Sequence, residues 1–580
     1  MGYKIEIIMS DSLHININNK SISQFTYDAI VVGSGISGGW AAKELCEKGL
    51  KTIVLERGRQ VEHVKDYPTA LKQPWEFENR LELTEEDKRI NPVQSQIYNE
   101  SCKHFFVNDQ EHPYVQVKPF NWIRGYHVGG RSITWGRQVY RLSDLDFTAN
   151  LKDGHGVDWP IRYNDIAPWY DYVENFIGVS GQAEGIPHLP DGLFLPPMEM
   201  NCIEKHFAEG IKKNFDNRWV TNGRVANLTR GYKDRGPCQY RNLCNRGCPF
   251  GGYFSSNSST LPVAYATGNL TLRPHSIVQE VIYDANTGKA KGVRIIDELS
   301  NETFEFYAKV IFLNASTIGT ASILLQSTST TFPNGLGNSS GQIGLNLMDH
   351  HKSVGANGEH DGYEEYYYSG RRPTGIYIPR FRNLNDQTKH ADFIRGYGYQ
   401  ADGERSEWRD RMKEDDSFGA DFKNNLTVPG PWKMWMGAWG ECLPNPNNKM
   451  WLDSNLKDKW GLPLVNISFE FGDNEKAMRK DAMNSAAEML DKTGFKNITT
   501  FDYDPAPGTT VHEMGTARMG RDSKTSVLNE HNQMHDVKNV FITDGSCMPS
   551  GGCQNPSLTY MALTARACDF AVNELKKNNL

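Results

Sequence analysis

One stretch near the start of the chain leaves little freedom in how the rest can fold. Apolar residues 29–32 run into Gly33-Ser-Gly35-Ile-Ser-Gly38, then through Ala41, Leu45 and Cys46 to Gly49, then Thr52–Leu55 and Glu56-Arg57. The apolar run reads as a buried parallel strand. Gly33 permits a tight turn, Gly35 lets backbone approach a pyrophosphate, and Gly38 lets the next helix pack on the strand with its N-terminus facing the phosphates. The second strand delivers Glu56, whose carboxylate can bond ribose hydroxyls. A lone Gly-x-Gly-x-x-Gly is weak, and a glycine turn without a ligand is the bland alternative. With strand, helix, second strand and terminal acid in order, the unit specifies a dinucleotide site.

At 580 residues the chain exceeds one ordinary core, so two domains, or one with a large insertion, are expected. The net charge of −7 and the absence of a long basic run argue against nucleic acid and anionic membrane as partners. No apolar stretch approaches the roughly 20 residues that span a bilayer. The opening Met1-Gly-Tyr-Lys-Ile-Glu carries no signal pattern, so the chain as written is expected to be cytoplasmic.

Of ten cysteines, Cys46, Cys102, Cys202, Cys442, Cys547, Cys553 and Cys568 are scattered and read as small buried hydrophobes in a reducing compartment. Cys238, Cys244 and Cys248 are clustered among glycines, with a proline after the last. Three thiolates at this spacing suit an iron–sulfur cluster, and three ligands match a three-iron form, 3Fe-4S, better than a four-iron one. Zinc, with His275 or a distant cysteine as fourth ligand, is one alternative. Plain thiols, or a disulfide leaving one cysteine over, is the other.

Further along, Trp122 to Gly136 is rich in glycine and aromatic residues. Gly129, Gly130, Ser132, Thr134 and Trp135 let backbone approach a flat ring system, although an ordinary glycine loop would look similar. Residues 85–120 are polar and irregular. Leu270–Val278 and Gly292–Ile296 read as strands, and Val310–Leu313 leads into a helix through Ile323 and Leu325. Residues 350–500 are rich in Trp, Tyr, Asp and Asn, with strand-like runs at 375–378 and 464–468. Together with 146–225 they read as a second domain on an antiparallel sheet. Trp432, Trp435 and Trp439 could form a stacking wall for a sugar face, or equally be core.

Near the C-terminus, Val540–Thr543 is a short buried strand ending at Asp544-Gly545. A helix begins at about Pro556, which its first turn tolerates, so Asn555 stands at a helix start that favours negative charge. His512 falls on a glycine-rich loop. Histidine is the usual general base near neutral pH, and paired with Asn555 it is the candidate catalytic base.

These motifs, with Gly344 to His350, resemble the glucose–methanol–choline (GMC) oxidoreductase family from about residue 26 to the C-terminus. Within it the chain is similar to FAD sugar dehydrogenases that carry an iron–sulfur cluster, whose cysteine spacing Cys238, Cys244 and Cys248 match, and also to pyranose oxidases. The resemblance implies an α/β fold: a Rossmann-like FAD-binding domain from 24–145, 226–350 and 505–580, and a substrate domain on an antiparallel sheet from 146–225 and 351–504. It implies cofactor contacts from Gly33, Gly35, Gly38, Glu56, Arg57, Gly129, Gly130, Ser132, Thr134, Trp135, Val278, Asp544, Gly545, Asn555 and Pro556. Some relatives attach flavin through a histidine where this chain has Thr134, which implies non-covalent FAD.

The activity implied is oxidation of a sugar hydroxyl. His512 takes the hydroxyl proton, Asn555 holds the oxygen, and the carbon gives hydride to flavin N5. Electrons would leave through the cluster to an external acceptor of cytochrome c or quinone type. The expected reaction is at C3 of a glucoside, with C1 of glucose, C2 of gluconate, a pyranose oxidase using oxygen, and a non-redox lyase as alternatives. A small accessory subunit, carrying the chain to the periplasm, is a further implied partner.

Overall fold

The computed structural model describes residues 27–366, 375–405, 408, 411–412 and 415–580. The stretch ahead of Tyr27, where an export signal would stand, lies outside them.

The strand Tyr27–Val32 takes the middle of a seven-stranded sheet. Thr52–Leu55 and Thr303–Leu313 flank it in parallel, with Ile30 level with Ile53 and Ile311. Leu270–Arg273 and Val540–Ile542 extend the parallel part outward on either side. The run 29–32 is apolar without alternation because both faces of a parallel sheet are covered. Ile30 and Val32 enter one apolar cluster. Ala29 and Val31 enter another, built from the helix Ile36–Glu47 and the C-terminal helix Ser557–Lys576. The other half of Thr303–Leu313 pairs antiparallel with Lys289–Asp297, which pairs with Ser276–Asp284. The expected single strand Leu270–Val278 is thus two strands. Pro274 has no N–H to donate, and His275 sits at φ 53°, turning the chain from one sheet part into the other.

A second sheet has six antiparallel strands in the order Lys496–Asp502, Val354–His360, Trp432–Gly440, Tyr397–Arg405, Ile376–Ile378, Thr221–Asn222. One face packs under the helices Cys202–Asn214 and Asp473–Lys492, through Met434, Met436, Tyr399 and Ala401 against Phe207, Met478 and Ala482. The alternate residues of each strand therefore point to the opposite face. The run 464–468 is a strand as expected, but it belongs elsewhere. It pairs with Lys449–Lys457 and with Val115–Gln116 in a separate three-stranded sheet. The helix Tyr163–Ile177 packs against the C-terminal helix, where the Tyr170 and Thr559 hydroxyls lie 2.9 Å apart.

Candidate active site

The parallel strands end together, and their C-terminal ends open on one cleft, as the topology of such sheets requires. Gly33 and Gly35 come after the first strand, Glu56 and Arg57 after the second, and Asp544 and Gly545 after the last. All six line the cleft, with Gly130, Ser132, Thr134, Trp135, Val278, His512, Asn555 and Pro556. Gly38 and Gly129 instead shape it from behind. A Cβ on Gly38 would sit 2.0 Å from the Gly33 carbonyl oxygen, so helix and turn touch there. Gly129, at φ 88°, leaves space that the Asn257 carboxamide fills. Around Gly35 no atom comes within 4 Å of where a Cβ would be. Backbone is therefore bare toward the cleft, at a helix start with no side-chain cap.

Glu56 braces this turn. One carboxylate oxygen accepts the Ser34 N–H at 3.0 Å and the Ser34 hydroxyl at 2.6 Å, and the other accepts the Gly58 N–H at 3.0 Å. Burial pushes its pKa up, against the pull of those bonds. Arg57 lies between the Tyr126 and Trp460 rings, 4.7 and 5.1 Å from their centres. Arg57 Nε, Arg131 Nη1, Asn314 Nδ2 and Glu513 Oε1 are among the buried polar atoms of cleft residues with no hydrogen-bond partner in the protein. Such atoms are paired in folded proteins, so a polar ligand running from Arg57 past Gly35 to Arg131 fits the cleft, and a dinucleotide has that form.

At the far end stand His512 and Asn555. Val511, just before the histidine, has φ 60°, a conformation that β-branched residues rarely adopt. The loop is pinned on both sides. Asp349 accepts the His512 N–H at 3.1 Å and the Gly508 N–H at 2.8 Å, and Thr317 donates to the Glu513 carbonyl at 2.5 Å. Met348 and Met514 exchange two backbone hydrogen bonds of 2.9 Å. This brings His350 beside His512, with their Nδ1 atoms 2.9 Å apart.

The hydrogen-bond sequence fixes the tautomers. His350 Nε2 lies 2.8 Å from the Gly552 carbonyl, which can only accept, so that nitrogen carries the proton. Burial depresses the His350 pKa to about 4, which keeps the ring neutral and leaves Nδ1 bare. His512 must therefore donate from its own Nδ1. Burial, and then the neighbouring His350, Lys352 and Arg131, hold the His512 pKa well below the ordinary histidine value. Its Nε2 is consequently an unprotonated acceptor, 3.3 Å from Asn555 Nδ2. Asn555 Oδ1 accepts from Gln400 Nε2 at 2.9 Å, Gln400 Oε1 from Gln138 Nε2 at 3.2 Å, and Gln138 Oε1 from the Tyr140 hydroxyl at 2.5 Å. Every amide orientation in this relay agrees with the histidine tautomers.

The clustered cysteines do not form the expected donor set. All ten cysteines are free, and among the described residues no group of three or more His, Cys, Asp or Glu is placed to hold a metal ion. Cys238 Sγ accepts the Tyr240 N–H and Cys248 Sγ the Gly252 N–H, each at 3.4 Å, and burial pushes both thiols up toward the protonated form. Of the scattered cysteines, all but Cys202 are buried as expected. Trp432 is core, packed on the helix-covered face of the six-stranded sheet, and Trp435 and Trp439 lie on the opposite face; none of the three lines the cleft. No helix among the described residues is long and apolar enough to cross a membrane.

Arg131, Glu513, Asn314, His350 and Gln400 were missing from the expected site. His350 closes the Gly344–His350 segment, where the sequence assigns it no role. Gln400 sits on a strand with no local signal and reaches the site only through the sheet.

The parallel sheet and its cleft define a dinucleotide-binding α/β protein with His512 and Asn555 paired in the cleft wall. Family models described as GMC oxidoreductase match residues 27–352 and 444–564, and the chain belongs to that family. It is an FAD-dependent oxidoreductase acting on CH–OH groups of sugars or alcohols. The chain is 27% identical to 2-methyl-1,2-propanediol dehydrogenase of Mycolicibacterium austroafricanum, over 94% of both chains. It is 24% identical to the fructose dehydrogenase large subunit of Gluconobacter japonicus, over 97% of this chain and all of the other. In structure it resembles pyridoxine 4-oxidase from Mesorbium loti, with a TM-score of 0.59 at 14% identity, covering 94% of this chain and 98% of that one.

Proposed function

We propose that the protein dehydrogenates a secondary hydroxyl of a pyranose, with C3 of a glucoside as the preferred position. Relatives named for the dehydrogenation of fructose and gluconate support a sugar. The observation that carries the mechanism is the bare Nε2 of His512, fixed by the His350 relay and facing Asn555.

In this reading Gly33, Gly35 and the start of the helix after them hold the pyrophosphate of non-covalent FAD. Glu56 and Arg57 would hold its adenosine end, and Gly130 to Trp135 would face its ring system. When bound, FAD supplies the acceptor for the hydride that leaves the substrate carbon. The substrate hydroxyl donates to His512 Nε2, which takes its proton. Asn555 Nδ2 donates to the same oxygen and holds the carbon in line. Its carbonyl is tied to Gln400, so the amide cannot flip without breaking that bond. The ring of His512 begins neutral, and its two nitrogens face His350 Nδ1 and Asn555 Nδ2 rather than a carboxylate, so the proton it gains is held in no ion pair and passes on to solvent or product.

The test is His512→Ala in flavin-loaded protein. Turnover should fall by at least about 10² while FAD stays bound, since general-base assistance is worth roughly 10² to 10⁴. Near-normal turnover would remove His512 from the role. A methyl glucoside, its anomeric carbon blocked, should be oxidised while its 3-deoxy analogue is not. Activity on free glucose alone would point to C1.

The finer reading of the electron exit, an iron–sulfur cluster on Cys238, Cys244 and Cys248, has the spacing of the three cysteines behind it and not their placement, in which, among the described residues, no three ligands converge. The Tyr253 hydroxyl, 3.0 Å from the Cys244 carbonyl, also donates to the Ile133 carbonyl, beside Thr134 in the cleft wall. Iron and acid-labile sulfide in protein made in a cluster-competent host would support it, and their absence would leave plain thiols.

A further inference from the structure

The face of the six-stranded sheet that turns away from the helices carries Gln400, and Gln400 bonds Asn555. Across the rung from Gln400 is Gly437, and on the next same-face rung Asp402 is level with Trp435. Asn357 is level with Trp435 from the other side. The two rungs are two residues apart, roughly 7 Å along the strand.

Trp435 does not stand upright on the sheet. A Cβ on Gly437 would sit 2.5 Å from its Cζ2 and 2.6 Å from its Cη2, so the indole lies flat across the glycine, over the rung that Gln400 shares. It continues into an aromatic pavement. Phe501 is nearly parallel to it, at 7° and 6.4 Å, Tyr503 stacks on Phe501 at 5.2 Å, and Trp439 meets it edge-on at 6.2 Å. Beside Trp435, on the rungs beyond Gly437, lies a recess of about 820 Å³ walled by Trp435, by Asn357, Asn497 and Thr499, and by the charged Glu359, Asp402, Glu404 and Lys433. That volume falls within the roughly 300–1,000 Å³ of small-molecule sites.

We infer that this recess is an outer sugar subsite: the substrate is a glycoside of at least two rings, one oxidised at His512 and Asn555, its neighbour resting on Trp435. This rests on the proposed oxidation of a sugar. A pyranose presents an apolar C–H face and a rim of hydroxyls. A flat indole complements the first, since aromatic rings offer large apolar area at fixed geometry, and the carboxylates and amides around it can accept from or donate to the second. The glycine at 437 is what the arrangement needs, because any side chain there would lift the indole off the sheet.

The test uses FAD-loaded enzyme with dichlorophenolindophenol as acceptor, and compares Trp435→Ala and Trp435→Phe with the unmutated protein. Substrates are methyl glucoside, cellobiose and maltose. The unmutated enzyme should prefer at least one disaccharide. Trp435→Ala should lose about tenfold in kcat/KM on it, mostly through KM, while methyl glucoside changes by less than about twofold. Trp435→Phe, which keeps a stacking face, should recover most of the loss and guards against a folding defect. Equal losses on one ring and two, or none on either, would overturn the subsite and leave sugar oxidation standing. Tryptophan fluorescence titration with the same disaccharides separates the other case. Quenching that depends on Trp435, without oxidation of any sugar, would keep the subsite and sink the oxidation reading.

Discussion

His350 touches neither substrate nor cofactor in the proposed mechanism, yet it decides which nitrogen of His512 is bare. His350→Leu removes the acceptor for His512 Nδ1–H and frees the ring to take the other tautomer. The rate of flavin reduction should fall about 10- to 100-fold, the scale known for partners that orient metal-bound imidazoles, with FAD content unchanged. An unaltered rate would show that the tautomer is set elsewhere. The pH profile belongs to the same pair. Because burial lowers the pKa of His512, its basic form persists below the ordinary value near 6.5 and is lost only as pH falls through the depressed one. Flavin reduction should therefore be level from about pH 6.5 to 8 and decline only in more acidic solution. A rising limb centred at about 6.5 would mean a solvent-exposed imidazole. At this scale the sequence was only partly readable. His512 and Asn555 announced themselves by residue type beside glycine turns and a helix start. The bond to Gly552 that makes His350 matter joins residues 202 positions apart and leaves no local trace.

The first strand–turn–helix gives three glycines three distinct duties, and single methyl groups can separate them. Gly38→Ala forces a Cβ to 2.0 Å from the Gly33 oxygen, so it should destabilise the fold itself, by about 1–3 kcal/mol or more as overpacking does. Gly35→Ala places its methyl in open space, so the melting temperature of flavin-free protein should hold while FAD affinity drops. Should the two variants behave alike, the division between packing glycine and ligand-facing glycine is wrong. This unit was legible almost residue for residue, because buried parallel strands and glycine turns are dictated by neighbours in sequence. The strand at 463–468 was legible as a strand and not in its pairing. A short apolar run marks a buried strand, as Leu464 to Ile467 are, but nothing local tells Asn466 and Ile467 to lie beside Val115 and Gln116. The cysteine cluster meets the same limit, since spacing sets what thiols could do and the surrounding N–H groups set what they are offered.

Across the whole molecule the cleft is lined by residues from Val32 to Tyr560, so FAD should act as a clasp. FAD binds through the folded cleft, so adding it at about a hundred times its dissociation constant should contribute about 2.7 kcal/mol and raise Tm over flavin-free protein. Acid precipitation should release it, since Thr134 offers no ring nitrogen for a covalent bond. A melting temperature indifferent to FAD, or flavin that stays in the pellet, would contradict this reading.

The position of Val540–Ile542 in the sheet has one more consequence, for the birth of the chain. Its partner, the buried end of Thr303–Leu313, is made some two hundred residues earlier, and Ile311, Phe312 and Leu313 wait for it. Until the ribosome has delivered residues 540–542, that apolar strand has an open edge, the kind of surface on which nascent proteins aggregate. Synthesis of this protein is therefore a long wait with its central seam unsewn, and its yield in the cell should depend on holding chaperones far more than the stability of the finished enzyme would suggest.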